Sequence, residues 1–154
     1  MKIGRLTNGI SCEYKMQEKM TEWLVEKDLS FKSEVYVKEV NRRADFLVHN
    51  DYGRLINIEA KCNDFACMMA QLQDHSKYCD YSFAFIPDYP MTPKWFKKEL
   101  AEKGYGLIVY NFKKEIITEV LEAYINKPQL KELREKILKL VCRKQPNKNL
   151  IMEF

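Results

Sequence analysis

Ala44-Asp45-Phe46-Leu47-Val48-His49, a turn at Asn50-Asp51-Tyr52-Gly53, then Arg54-Leu55-Ile56-Asn57-Ile58-Glu59-Ala60-Lys61 alternates as two strands joined by a tight hairpin do. Successive strand side chains point to opposite faces. Ile56, Ile58 and Ala60 therefore share one face, which must meet a core. Asn57, Glu59 and Lys61 share the other. In the first strand Phe46 and Val48 oppose Asp45 and Leu47. Closing the hairpin brings Asp45 near Lys61, so two carboxylates and one amine converge.

Outward from this pair, a strand over Phe31–Val40 precedes it, and the three strands read as an antiparallel meander. Before them a helix is expected over Cys12–Lys27, with Ser11 as its N-cap. Met16, Met20, Trp23 and Leu24 recur at helical spacing as its buried stripe. Glu13 falls inside that apolar arc, where an acid is costly unless something inside wants it. After the meander, Asn63-Asp64 opens a helix over Phe65–Cys79, its core stripe being Phe65, Met69, Leu72 and Cys79. Gln71 and Tyr78 share a neighbouring strip. Tyr81–Pro87 reads as a strand and Lys94–Lys103 as a helix with Trp95, Phe96 and Leu100 inward, ended by Gly104-Tyr105-Gly106. A strand over Leu107–Tyr110, another short one within Phe112–Ala123, and an amphipathic helix over Leu130–Cys142 complete the pattern. The last dozen residues read as a loose tail or a packed strand. The predicted class is mixed α/β, helices covering a central sheet.

The chain has 154 residues, which suits one domain over 1–154. No apolar run reaches the ~18–20 residues of a membrane span, and no signal-peptide pattern is visible. The expected compartment is the cytoplasm, with no membrane partner. The net charge is +4 and uneven. Lys127–Lys148 holds eight basic and two acidic residues, while the rest sums to −2. A basic end, centred on the helix at about 130–142, suits a polyanion partner, with a solvated helix face as the competing reading. Five cysteines, an odd number, are expected as reduced thiols. Cys62, Cys67, His75 and Cys79 form a soft-ligand grouping, but no Cys-x-x-Cys is present and core cysteines are common, so a zinc or iron–sulfur site is the weaker reading.

Phosphodiester hydrolysis gives a meaning to Asp45, Glu59 and Lys61. Mg²⁺ is held by one or two carboxylates and keeps several waters. Asp45 and Glu59 supply such ligands, and the Ala60 carbonyl another. Lys61 stands beside them to orient a water or stabilise transition-state charge. The competing reading is a cross-strand salt bridge on a wet face.

The succession Asp45, then Glu59-Ala60-Lys61, resembles the PD-(D/E)XK nuclease superfamily, the restriction-endonuclease-like fold, from about Glu13 to Tyr110. Arg42-Arg43-Ala44-Asp45, Tyr78-Cys79-Asp80-Tyr81-Ser82-Phe83-Ala84-Phe85 and Gly106-Leu107-Ile108-Val109 are similar to its MmcB-type DNA-repair branch and related phage nucleases. The resemblance implies a central mixed sheet flanked by helices, with Asp45, Glu59 and Lys61 as the active core. It implies Mg²⁺ or Mn²⁺ and cleavage of DNA, in repair, recombination or phage DNA processing. An acid from the first helix or strand joins such sites: Glu13 by the wheel, or Glu34. Gln71 matches a glutamine that follows the motif. Arg42, Arg43 and Tyr78 are candidate nucleic-acid contacts. Lys94, Lys97 and Lys98 beside Trp95 and Phe96 suit single-strand stacking, though an amphipathic helix with buried aromatics is the favoured reading. A homodimer would suit double-strand cutting, and a larger repair or phage complex would suit so small a chain. Two other classes stay open: a nuclease-like binding or adaptor module without turnover, and a protein-interaction domain in which Glu59 and Lys61 form a salt bridge.

Overall fold

The computed structural model describes residues 2–90 and 92–142. Among them the order is α1 (Lys2–Glu26), β1 (Ser30–Val37), β2 (Arg42–His49), β3 (Leu55–Ala60), α2 (Phe65–His75), β4 (Tyr81–Pro87), α3 (Lys94–Lys103), β5 (Gly106–Asn111), β6 (Ile116–Leu121) and α4 (Lys131–Val141). The strands form one six-stranded sheet in chain order. β1, β2 and β3 are the expected antiparallel meander. β3, β4 and β5 run parallel, and β6 returns antiparallel. Parallel neighbours need a crossover, which α2 and α3 supply.

Helices cover both faces, giving the expected mixed α/β architecture. On one face the α1 stripe of Met16, Met20 and Leu24 packs on Phe46, Val48, Ile58, Ala60, Phe85, Ile108 and Tyr110. The other face carries two clusters. Leu133, Ile137 and Val141 of α4 meet Leu47, Leu55, Tyr78 and Cys79. Met68, Met69 and Leu72 of α2 meet Phe96 and Leu100 of α3 over Ala84, Ile86 and Leu107. The basic C-terminal helix is thus a packing helix whose lysines stay outside. Lys136 pairs at the surface with Glu39 (3.2 Å).

One rung departs from regular alternation. The β1–β2 register runs to Ser33↔Phe46 and resumes at Val35↔Ala44, skipping Glu34 and Asp45. Glu34 has φ 53°, a left-handed conformation uncommon without glycine. The strands change faces there. Phe31, Phe46 and Val48 belong to the α1 side, whereas Val35, Val37 and Ala44 belong to the α4 side. Asp45 sits at the crossing.

Several boundaries differ from expectation. α1 begins near Lys2, so Ser11 lies within it rather than capping it. α2 stops at His75, where Ser76 N–H bonds Asp74 and Leu72 carbonyls. Tyr78 and Cys79 then turn towards β4, because Asp80 N–H bonds the Leu55 carbonyl (2.8 Å). Asp64 does cap α2, accepting Cys67 N–H (3.2 Å). Gly104, at φ 76°, ends α3 as expected. The reading of the last dozen residues lies outside the described residues. Among the described residues no helix is long and apolar enough to cross a membrane.

The expectation of reduced thiols is corrected for two of the five cysteines, while Cys67, Cys79 and Cys142 are free. α1 crosses the exit of β3, bringing Cys12 and Cys62 to a Cα separation of 6.6 Å, and the two form a disulfide. Their separation of 50 residues makes the loop long, and the chain-entropy model gives about 4 kcal/mol for closing it. Urea titration with and without reductant should show a stability loss of about 2–4 kcal/mol on reduction. Coincident curves would contradict a closed loop.

Candidate active site

β2 and β3 are inner strands, so the site is not at a lateral edge of the sheet. It lies where these two strands part. Their ladder ends at Phe46↔Ile58, and side chains take over beyond it. Asp45 N–H donates to Glu59 Oε2 (3.0 Å), and Ala60 N–H donates to Asp45 Oδ2 (2.8 Å). Each carboxylate thus replaces a carbonyl that the partner strand would have offered, and the backbone itself aims them at one another. Asn57 adds a third constraint, its Nδ2 donating to Glu59 Oε2 (2.7 Å) and to the Phe46 carbonyl (3.3 Å).

Glu59 is 1% exposed. Its Oε1 has no hydrogen-bond partner. Burial, then the charge of Asp45, push its carboxyl up to about 8. Asp45 is raised too, first by burial and further by Glu13, while Ala60 N–H, Arg43 and Lys61 oppose the rise. The Glu59 carboxyl is within hydrogen-bonding reach of the Asp45 side chain, so without a cation the pair retains a proton near neutral pH. Lys61 follows directly, its N–H bonded to the Phe85 carbonyl (3.1 Å). Its side chain makes no ion pair or hydrogen bond with a described residue. Cys62 N–H donates to Glu13 Oε2 (3.3 Å). That contact brings the α1 acid to the same end of β3, where the disulfide fastens it.

Residues 14–72 match the family model for the nuclease-like domain of competence protein CoiA. This part of the chain is similar to a nuclease-like domain. The match holds Asp45, Glu59, Lys61 and Gln71, and stops just short of Glu13. A solved structure of a protein of unknown function from Silicibacter pomeroyi is similar in fold, with TM-score 0.56 and 20% identity, covering 82% of this chain and 80% of that one. No curated protein matches.

The other candidate residues fall unevenly around the Asp45–Glu59 pair. Gln71 is half-buried on α2, one turn before His75 and on the same helix face. Glu34 is exposed and pairs with Arg43 (3.6 Å). Arg43 is exposed, two residues before Asp45, and holds that surface pair. Arg42 is committed: its Nε bonds Asp74 Oδ2 (2.7 Å), pinning β2 to α2. Tyr78 is corrected. It is 0% exposed and its hydroxyl lies 2.7 Å from His75 Nδ1, so no nucleic acid can touch it. The soft-ligand grouping, the weaker reading of these residues, is not assembled. Cys62 is in the disulfide, and Cys79 is fully buried, a setting that pushes its thiol up.

Two residues gain a place beside Glu59 that the sequence reading did not give them: Asn57, and His75, which it considered only as a soft ligand. His75 is 0% exposed, and its Nε2 lies 3.7 Å from Glu59 Oε2. Burial pulls it down to about 4, so the ring is neutral. If Tyr78 O–H donates to Nδ1, the ring proton sits on Nε2 and faces the Glu59 carboxylate. That tautomer satisfies the buried hydroxyl and opposes no like poles. The signals were present: a polar residue two before Glu59 on its strand face, and a His-x-x-Tyr at a helix end.

A divalent cation fits the donor set. Two carboxylates lie side by side, and one buried carboxylate oxygen lacks a partner. Among the described residues no three of His, Cys, Asp and Glu gather as a metal cluster. A cation held there would need further donors, such as the Ala60 carbonyl and water, to complete its shell.

The buried pair also predicts a pH dependence. The Glu59 carboxyl holds its proton more tightly folded than unfolded, so between about 4.5 and about 8 the folded state binds the extra proton. That contribution falls as pH rises through the window, by at most ~1.4 kcal/mol per unit for one proton. His75, held down to about 4 from its ordinary 6.5, acts in the opposite sense below about 6.5, so the net fall in the metal-free protein lies between about 6.5 and about 8. Thermal melts in EDTA from pH 6.5 to 8, above the range where His75 contributes, should show the fall in the native protein, and a shallower one in Glu59→Gln. Parallel curves would contradict the assignment.

Proposed function

We propose that the protein is a metal-dependent nuclease of the PD-(D/E)XK type that hydrolyses phosphodiester bonds of DNA, as an endonuclease in repair, recombination or phage DNA processing. The observation that carries the reading is the carboxylate pair held across the splayed end of β2 and β3, with Glu59 Oε1 unpartnered and Lys61 alongside. The match to a nuclease-like domain supports it.

Asp45 and Glu59 would hold Mg²⁺ or Mn²⁺ together with the Ala60 carbonyl, and Glu13 lies on the α1 side of the same position. The cation supplies charge stabilisation on the phosphate and a more acidic water. Backbone N–H groups and Asn57 fix both carboxylates before any ligand arrives, so little reorganisation is needed at the moment of reaction. The Lys61 ammonium orients the attacking water and offsets charge growing on the phosphate oxygens. Gln71, on the α2 face above Glu59, positions the scissile strand. Arg43 meets a flanking phosphate.

The test is a cleavage assay on labelled single-stranded, duplex and branched DNA with Mg²⁺, Mn²⁺ or EDTA. Metal-dependent products are expected. Binding without products across the whole panel would leave a nucleic-acid-binding module and overturn the reading.

A further inference from the structure

We propose that the first turns of α3 and the segment before it form a binding surface for single-stranded nucleic acid, with Trp95 and Tyr89 as stacking platforms and Lys94, Lys97 and Lys98 as phosphate contacts. The inference rests on the nuclease reading for its biological sense, but its observations are separate from the carboxylate site.

The sequence pattern favours an α3 that buries its aromatics. Phe96 and Leu100 do so, at 0% exposure, but Trp95 is 47% exposed and Tyr89 43%. The indole is held edge-on against buried Phe96, with ring centroids 5.8 Å apart and planes at 83°. It is thus anchored yet accessible. Lys94, Lys97 and Lys98 are exposed around it, and none makes an ion pair or side-chain hydrogen bond with a described residue. The first turn of α3 contains no acid; Glu99, paired with Lys103 (3.8 Å), and exposed Glu102 stand on its later turns. Three lysines at the positive end of a helix oppose its dipole. An exposed tryptophan leaves apolar area in water. The fold gains from neither, whereas a polyanion with aromatic bases satisfies both.

The surface lies at the catalytic end of the sheet. β3 and β4 are parallel, with Ala60 beside Phe85, so Lys61 and the segment after Pro87 emerge at one end. Phe65, four residues after Lys61, packs on Phe96 with centroids 4.8 Å apart. Four residues span at most ~14 Å, so a strand crossing Lys61 reaches Trp95 within a few nucleotides. A duplex hides its base faces, whereas a single strand offers them, and stacking of this kind tolerates any sequence.

The chain has two tryptophans, so a Trp23→Phe protein reports on Trp95 alone. It would be titrated in EDTA with oligo(dT) and with a duplex of equal length, following fluorescence. Saturable quenching by oligo(dT) at lower concentration than by duplex is expected. Trp95→Ala should weaken oligo(dT) binding about 5- to 150-fold, the range of one stacked base at ~1–3 kcal/mol. Lys97→Ala should reduce the salt slope by somewhat less than one. Far-UV melts of both variants confirm that the half-exposed side chains leave the fold intact. Absence of quenching, or unchanged binding by Trp95→Ala and Tyr89→Ala, overturns the proposal. Quenching by a protein that never cleaves would sustain this surface and sink the nuclease reading. Cleavage without quenching would do the reverse.

Discussion

Glu59→Gln is expected to abolish metal-dependent cleavage and, at pH 8 in EDTA, to make the protein more stable than the native one. The two effects share one cause. Glu59 Oε2 accepts from Asp45 N–H and Asn57 Nδ2, and a glutamine carbonyl accepts both equally well. The glutamine NH₂ then stands where Oε1 had no partner and donates towards Asp45. The buried charge pair becomes a neutral hydrogen bond, which removes a desolvation cost. A metal held by the pair would lose a carboxylate at the same stroke. Lys61→Ala, which leaves both carboxylates in place, should lower the cleavage rate by at least ~100-fold, the scale for one transition-state donor, while Mn²⁺ binding by calorimetry changes little. A structural salt bridge makes the opposite forecast for Glu59→Gln: lower stability and no activity to lose. Cleavage by Glu59→Gln at the native rate would end the proposed mechanism.

Arg134→Ala is expected to be the most destabilising surface-accessible substitution, at about 3–5 kcal/mol. Asp80 is 2% exposed. Its carboxylate accepts Leu55 N–H (2.8 Å), Arg134 Nε (3.0 Å) and Arg134 Nη2 (2.8 Å). One side chain therefore joins the start of β3, the start of β4 and the middle of α4. Removing the guanidinium leaves a buried carboxylate with one backbone donor. Urea unfolding should show the lower midpoint. Adding Asp80→Asn should recover part of the loss, because the orphaned charge goes with it. A loss under 1 kcal/mol for Arg134→Ala would mean that α4 is held by its leucine and isoleucine contacts alone.

Arg134 also shows where sequence reading stopped. It lies in the basic C-terminal stretch, which reads as a polyanion-binding end. Counting charge cannot separate an arginine turned inward to Asp80 from lysines left in water, since the two lie 54 residues apart. Cys12 and Cys62 are similar: their pairing follows from α1 crossing the end of β3, which no local pattern states. Trp95 failed in the other direction. Helical spacing assigns Trp95 and Phe96 alike to an apolar stripe, yet a hundred degrees of rotation separates them and only Phe96 reaches the core. Tyr78 was a candidate contact through the resemblance, but His75 meets its hydroxyl inside the protein.

Local geometry was enough for much else. The period of two placed Ile56, Ile58 and Ala60 on the core and Glu59 on the opposite face. The 3.6-residue period identified Met16, Met20 and Leu24, and the Asp64 cap and Gly104 stop followed from backbone preferences of single residues. These are properties of a few consecutive residues, so a sequence by itself determines them. Proximity, burial and protonation are not local. The change of face at the Glu34–Asp45 rung, the closure of Asp45 on Ala60, the placing of Asn57 and His75 beneath Glu59, and the lifted carboxyl that results all need strands and helices from distant positions to exclude water together. Tertiary structure alone decided those, because the cost of a buried charge depends on everything packed around it.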